Sequence, residues 1–314
     1  MKRPIILDCD PGHDDTMAIL LARGCPDIEL RAITTVAGNQ TLAKTTLNAR
    51  RICTVAGIRD VPIFAGCDRP LRREPIVAGH IHGQSGLDGH EFGAPTVDVA
   101  DEHAVDYLIR TLLASDGEIT LVPVGPLTNI ATAVLREPRI VERAREVVLM
   151  GGAYARGNST PAAEFNIFAD PEAAAVVFEA GWPLTMVGLE LTHQALVPEQ
   201  FSTEVAALGT GVSRMITDLL GSYHESYRRA AGLPSAPLHD PCAVAFVARP
   251  ELMTTQEAFV AVETAGTWTA GMTVTDFTGT LGRPANVTVP TRLDTAGFWA
   301  LMLDAMRSVS AASA

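Results

Sequence analysis

A chain of 314 residues, 47% apolar and 19% charged, can bury a large core and lies at the upper end of what one core supports. Its net charge of -12 excludes nucleic acid and anionic membrane surfaces as main partners, because both would be repelled, and favours a neutral or cationic small molecule. The 5 cysteines are scattered without a CxxC pair, which excludes a thiolate zinc site and a disulfide framework and fits a reducing cytoplasm.

Residues 4–9 read as the first strand, and Asp8 and Asp10 cut this apolar run short of a signal-peptide core. A helix follows over 14–23, then a second strand over 30–36 and a helix around 42–56. Further strands are expected at 61–65, 119–124, 147–150 and 184–187, most with a helical segment after them. Short apolar runs ending in small or polar residues, alternating with helical periodicity, predict βαβ units. The expected fold is an open doubly wound α/β sheet, mostly parallel, with helices on both faces. The stretches 67–99 and 191–240 break the rhythm and read as long functional loops. Residues 258–263 and 272–276 read as an antiparallel hairpin, 298–306 as a closing helix and 308–314 as a disordered tail. No stretch approaches the roughly 20 apolar residues of a membrane span. Without a repeat or a linker, the expectation is one domain over 1–314 in a soluble, cytoplasmic protein.

The strongest chemical signal is Asp8-Cys9-Asp10-Pro11-Gly12-His13-Asp14-Asp15, where the first strand turns into a helix. Ligands of open α/β sheets bind outside the carboxyl ends of the strands. Strand alternation puts Asp8 and Asp10 on one side with Asp8 about 6.5 Å deeper, so Asp10 is the contact group and Asp8 its support. Asp14 and Asp15 fall in the first helical turn, where the helix dipole favours negative charge. As helical neighbours they point in different directions, so one can hold a metal and the other a substrate. A cap and two helix acids would explain part of this set, but so many carboxylates at one strand end repel each other unless a cation is present. Hard oxygen donors without Cys or paired His point to Ca2+ or Mg2+.

Further along, Asn39 ends the second strand and serves equally as a turn residue or a ligand. In the segment 121–129 (LVPVGPLTN) the Val124 carbonyl can ligate a cation, or the segment is a plain turn into a helix capped by Thr128. Asn158, Glu164 and Asn166 place two amides and a carboxylate in one loop, a combination that binds vicinal hydroxyls. His239 and Asp240 precede an apolar helix, as a cap or as a general acid beside a metal ligand. Tyr223 and Tyr227 lie one helical turn apart, facing a binding pocket or simply packing.

These elements, in this order, resemble the nucleoside hydrolase family, known for inosine-uridine preferring enzymes. The DxDxxxDD loop, Asn39, the VPVGPLTN segment, the GN…EFN run and the His239-Asp240-Pro241 triplet carry the resemblance over nearly the whole chain. It implies that Asp10, Asp15, Asp240 and the Val124 carbonyl hold Ca2+, although several relatives have Thr at the position of Val124. It further implies that Asp14, Asn39, Asn158, Glu164 and Asn166 grip ribose. Asp10 would act as general base and His239 would serve the departing base. His82 matches a family histidine near the base pocket, and the family's tyrosines near Tyr223 and Tyr227 are associated with purine leaving groups. The implied enzyme hydrolyses ribonucleosides broadly, inosine and uridine included, or prefers pyrimidines, and by analogy is a homodimer or homotetramer. With no Trp around His82, a tryptophan-stacked purine site is not expected, and Trp182, Trp268 and Trp299 read as core residues.

Two rivals belong to other classes. A haloacid-dehalogenase-type phosphatase also starts with a strand and Asp-x-Asp, but Gly12 replaces its Thr or Val and the Asp14-Asp15 pair is left unexplained. A non-catalytic nucleoside or ribose sensor would keep the cation and ribose ligands while having no use for the proton-handling Asp10 and His239.

Overall fold

The first strand, Arg3–Cys9 (β1), is buried on both faces: Ile5, Leu7 and Cys9 join one apolar cluster and Ile6 a second. A strand covered on two sides reads as an unbroken apolar run, as this one does in the sequence. The computed structural model describes residues 2–313 and joins β1 to Ile28–Thr35 (β2), Ile63–Ala65 (β3), Val99–Ala100 (β4), Thr120–Pro123 (β5), Glu146–Met150 (β6), Leu184–Val187 (β7), Met253–Val262 (β8), Thr273–Asp276 (β9) and Val287–Leu293 (β10). They form one sheet in the order β4-β3-β2-β1-β5-β6-β7-β10-β8-β9. Pairing is parallel from β4 through β7 to β10, and antiparallel where β8 meets β10 and β9.

The chain steps outward from β1 to β4, returns to set β5 on the other side of β1, and steps outward again. The carboxyl ends of β1 and β5 therefore flank the switch point, where doubly wound sheets open a ligand crevice. Helices His13–Gly24, Leu42–Val55, Asp240–Ala248 and Thr295–Ala312 pack on the Leu7 face, and Ala104–Ala114, Thr128–Arg136 and Pro171–Glu179 cover the Ile6 face. No helix among the described residues is long and apolar enough to cross a membrane.

The expected hairpin is present, with Phe259 opposite Asp276 and Val262 opposite Thr273. The stretch 67–99 has little regular structure beyond the short helix Gly79–His82. The stretch 191–240, in contrast, is no long loop, because Glu199–Ala206 and Gly211–Ala231 are helices. In the longer one Val212, Met215, Ile216, Leu219, Leu220 and Tyr223 recur at helical spacing and are buried. Thr210 caps its start by accepting from Ser213 N at 3.1 Å, and Gly232 ends it at φ 66.

Residues 308–312 are likewise not a disordered tail but the end of the helix Thr295–Ala312, held down by the burial of Val309 and Ser310. Ala314 lies outside the described residues. Trp268 is 86% exposed and not in the core, whereas Trp182 is buried and Trp299 packs on Phe201 and Phe298.

Candidate active site

The acidic loop leaves β1 and enters helix His13–Gly24 with Gly12 at the N-cap. Asp15 reaches back from the third helical position: Oδ2 accepts from Gly12 N at 2.9 Å and Oδ1 from Asp10 N at 3.1 Å. Gly12 N is a donor that a helix start leaves unpaired, and Asp10 N belongs to the loop before it. Asn39 clamps the loop from the end of β2, donating from its backbone to Asp10 Oδ2 at 2.6 Å and from Nδ2 to Asp15 Oδ2 at 3.1 Å and Asp10 O at 3.2 Å. Asp10 Oδ1 is buried and has no hydrogen-bond partner among the described residues. Backbone crowds this carboxylate so closely that a Cβ at Gly38 or Gly125 would collide with it.

Asp14, Asp15 and Asp240 bring carboxylate oxygens within 4.8 Å of one another. Asp15 and Asp240 were expected at a metal. Asp14, which the resemblance places on ribose, completes the trio, while Asp10 stands just outside it and touches Asp15 through its own backbone N–H. Burial pushes Asp14 up to about 8, with the neighbouring Asp15 the next cause. Burial, and then the surrounding acids, hold Asp10 and Asp240 well above the usual carboxylate range, and burial raises Asp15 as well. Such a cluster ionises readily only around a cation. Its all-oxygen donors, together with the orphaned Asp10 Oδ1, fit a hard divalent metal.

Above this floor lies a cavity of about 220 Å3. Asp14, Asn39, Val124, Asn158, Glu164, Asn166 and Asp240 line it together with His82, Tyr223, Tyr227 and His239. The structure thus brings the expected set together across distant parts of the chain, with Asp10 and Asp15 buried behind the lining residue Asn39, which bonds to both. Asp8 is no part of it. Its Oδ1 accepts from Thr34 Oγ1 at 2.5 Å and Asn129 Nδ2 at 2.7 Å, Oδ2 has no partner, and burial pushes the acid up to about 7.

Asn166 Nδ2 donates to Val124 O at 2.8 Å and Met150 O at 3.0 Å, so its Oδ1 is the end left for a ligand. Asn39 spends its Nδ2 on the acidic loop in the same way. Glu164 accepts from Gly152 N at 2.9 Å, Asn166 N at 2.9 Å and Ile167 N at 3.2 Å, and burial still lifts it to about 7. Asn158 Oδ1 accepts from Phe165 N at 2.9 Å, which fixes the loop between the two amides. Thr128 is not a cap. Leu127 holds that place, and Thr128 Oγ1 donates to Asp170 Oδ2 at 2.7 Å.

On the upper side, His239 is held at both nitrogens, with Nδ1 2.7 Å from Thr192 Oγ1 and Nε2 2.7 Å from the Tyr227 hydroxyl. His82 Nδ1 lies 3.2 Å from His13 Nδ1, and the His13 ring stacks on Tyr223 with centroids 5.1 Å apart. Burial pushes His13 down to about 4, His239 down to about 3 and His82 well below its ordinary value, so all three are neutral near pH 7. Thr192 and His13 had no role in the sequence reading. His13 stood inside the acidic motif, but a lone Thr 47 positions from its partner carries no local signal.

The family model described as inosine-uridine preferring nucleoside hydrolase matches residues 5–300. The chain is 50% identical over 311 residues to the inosine-uridine preferring nucleoside hydrolase of Crithidia fasciculata, covering 98% of this chain and 99% of that one. It is 47% identical over 306 residues to the pyrimidine-specific ribonucleoside hydrolase RihB of Escherichia coli, covering 98% and 97%. A solved structure of a purine-preferring ribonucleoside hydrolase from Gardnerella vaginalis superimposes with a TM-score of 0.92 at 32% identity, covering 98% of this chain and 99% of the other.

Proposed function

We propose that this chain, which belongs to the inosine-uridine preferring nucleoside hydrolase family and so hydrolyses the N-glycosidic bond of ribonucleosides to ribose and free base, uses Ca2+ and accepts both inosine and uridine. The observation that carries the cation is the meeting of Asp14, Asp15 and Asp240 beside an unpartnered Asp10 oxygen at a cavity that Asp14 and Asp240 help to line. Family membership removes the phosphatase and sensor readings.

Asp10, Asp15, Asp240 and the Val124 carbonyl would hold the ion, with Asp14 at the boundary between ion and sugar. A mixed set of carboxylates, a carbonyl and sugar hydroxyls suits the high, irregular coordination of Ca2+ better than the octahedron of Mg2+. When bound, the ion would fix a water and lower its pKa. Asp10 would accept the proton of the attacking water, whose oxygen bonds to the anomeric carbon as the base departs. The free amide oxygens of Asn39 and Asn166 accept from ribose hydroxyls, with Asn158 and Glu164 completing the grip. Asp14 and Glu164 place negative charge beside the oxocarbenium-like sugar as the bond breaks. The departing base takes a hydrogen bond or a proton from the His239 and Tyr227 pair, two cavity-lining groups joined by a 2.7 Å contact.

Breadth of base rests on Tyr223 and Tyr227, which bring hydroxyls into a wall that also carries His82. The likeness to a pyrimidine-specific relative favours pyrimidine preference as the alternative. A panel of inosine, adenosine, guanosine, uridine and cytidine, each also in its deoxy form, decides: the broad reading expects free reducing sugar from inosine and uridine. Activity on pyrimidines alone selects the alternative, and equal rates on deoxy forms would refute the hydroxyl grip. A cytoplasmic homodimer or homotetramer belongs to the same proposal, with light scattering as its check.

A further inference from the structure

We infer that the one-turn helix Leu189–Thr192, which follows β7, is the positioning element that aligns the two halves of the site. Glu190 holds the ribose-facing loop, and Thr192 holds the imidazole that faces the base. The inference rests on the roles proposed above for His239 and for the Asn158 loop. Neither Glu190 nor Thr192 lines the cavity, so each acts through a neighbour.

The Glu190 carboxylate accepts from three successive backbone N–H groups, those of Tyr154 at 3.1 Å, Ala155 at 2.7 Å and Arg156 at 3.4 Å. This is the start of the loop that carries Asn158 and leads to Glu164 and Asn166. Irregular backbone of this kind has no ladder to hold it, so charge-assisted bonds to one carboxylate set its path. A backbone bond from Leu189 N to Gly152 O at 3.0 Å ties the two segments once more.

On the other side of the same turn, the fully buried Thr192 places Oγ1 2.7 Å from His239 Nδ1. With that nitrogen engaged, the ring can only direct Nε2 at Tyr227 and the cavity. The helix is in turn anchored to the sheet by Gln194, whose Nε2 donates to Glu190 O at 2.9 Å and Thr291 O at 3.0 Å while Oε1 accepts from Leu293 N at 3.0 Å. One turn fixed to β10 thus spans from the sugar grip to the group serving the base. Both must bear on a single bond, where a displacement of about 1 Å costs on the order of 100-fold.

The test compares kcat and KM of the Ca2+-loaded enzyme on inosine and on nitrophenyl riboside, whose leaving group needs no proton. Thr192→Val is expected to lower kcat on inosine about 10- to 100-fold with little change in KM, to cost far less on nitrophenyl riboside, and to be largely rescued in Thr192→Ser. Glu190→Ala is expected to raise KM about tenfold on both ribosides, with Glu190→Gln intermediate because one acceptor oxygen is kept. Equal losses on both substrates in Thr192→Val, whether from misorientation of everything or from unfolding, overturn the inference. So does a wild-type rate, or a Glu190→Ala enzyme with unchanged KM. His239→Ala separates this failure from that of the underlying reading. If His239→Ala loses equally on both substrates, the proposed role of His239 is wrong; if it spares nitrophenyl riboside while Thr192→Val changes nothing, only the inference falls.

Discussion

Asp10 illustrates how one residue is prepared by its surroundings. One oxygen is tied down by the Asn39 backbone, the other is left bare, and two glycines let the main chain close around it. As general base it should account for about 100- to 10,000-fold in kcat. Asp10→Ala is therefore expected to abolish turnover with nucleoside binding partly kept, as measured by steady-state kinetics beside a binding titration; an unchanged kcat removes it from the role. Gly38→Ala should act through the same group, since the added methyl meets the Asp10 carboxylate and Pro126. Calorimetric titration should then show Ca2+ affinity at least about tenfold weaker, and undiminished affinity would mean that Asp10 is no part of the ion's shell. Asp10, Asp14 and Asp15 are legible because they fall within six residues and their charge is hard to explain otherwise. Thr192 is not, because its partner is supplied by another element.

At the scale of elements, the helix Thr128–Arg136 fastens the switch point through Asn129. Its Nδ2 donates to Asp8 Oδ1 at 2.7 Å and Thr35 O at 3.0 Å, and its Oδ1 accepts from Cys67 N at 2.8 Å, so the ends of β1, β2 and β3 share one amide. Asn129→Ala strands buried partners on all of them and should cost about 3 kcal/mol, at roughly 1–3 kcal/mol for each group left unsatisfied. Urea unfolding of the Ca2+-loaded protein checks this, and a loss under about 1 kcal/mol would mean that the partners are resatisfied. Strand and helix positions were read closely from periodicity in the doubly wound half. The helix Gly211–Ala231 is harder to read from the sequence although its apolar spacing is regular, because it lies in a region that breaks the βαβ rhythm. The terminal helix ran on for the related reason that burial of Val309, and not composition, decides its end.

For the whole molecule, the buried acids couple stability to pH and cation. Burial holds Asp8 up to about 7 and Asp14 up to about 8, both from 3.8, with Asp10 and Asp240 also well above. A raised folded pKa means that the folded chain keeps a proton which the unfolded chain has lost, so stability falls as pH rises through that window. The buried histidines act in the opposite sense, but only below their ordinary 6.5. With chelator present, the melting temperature is therefore expected to drop between about pH 7 and about pH 8.5. Added Ca2+, which under the proposed function binds the ionised acids, should raise it more at the higher pH. An increment that is the same at both values would separate the acids from the ion.

Local order in the sequence determined the fold class, the acidic loop and the chemistry of its donors, because strand burial, helix periodicity and charge crowding act over a few residues. Only the tertiary structure decided which donors share a centre, that Asp14 joins Asp15 and Asp240 there, and that one turn after β7 reaches both the loop leading to Asn158 and His239. Those are contacts between segments far apart in the sequence. They depend on where distant segments meet, and that meeting is fixed by the packing of the whole core.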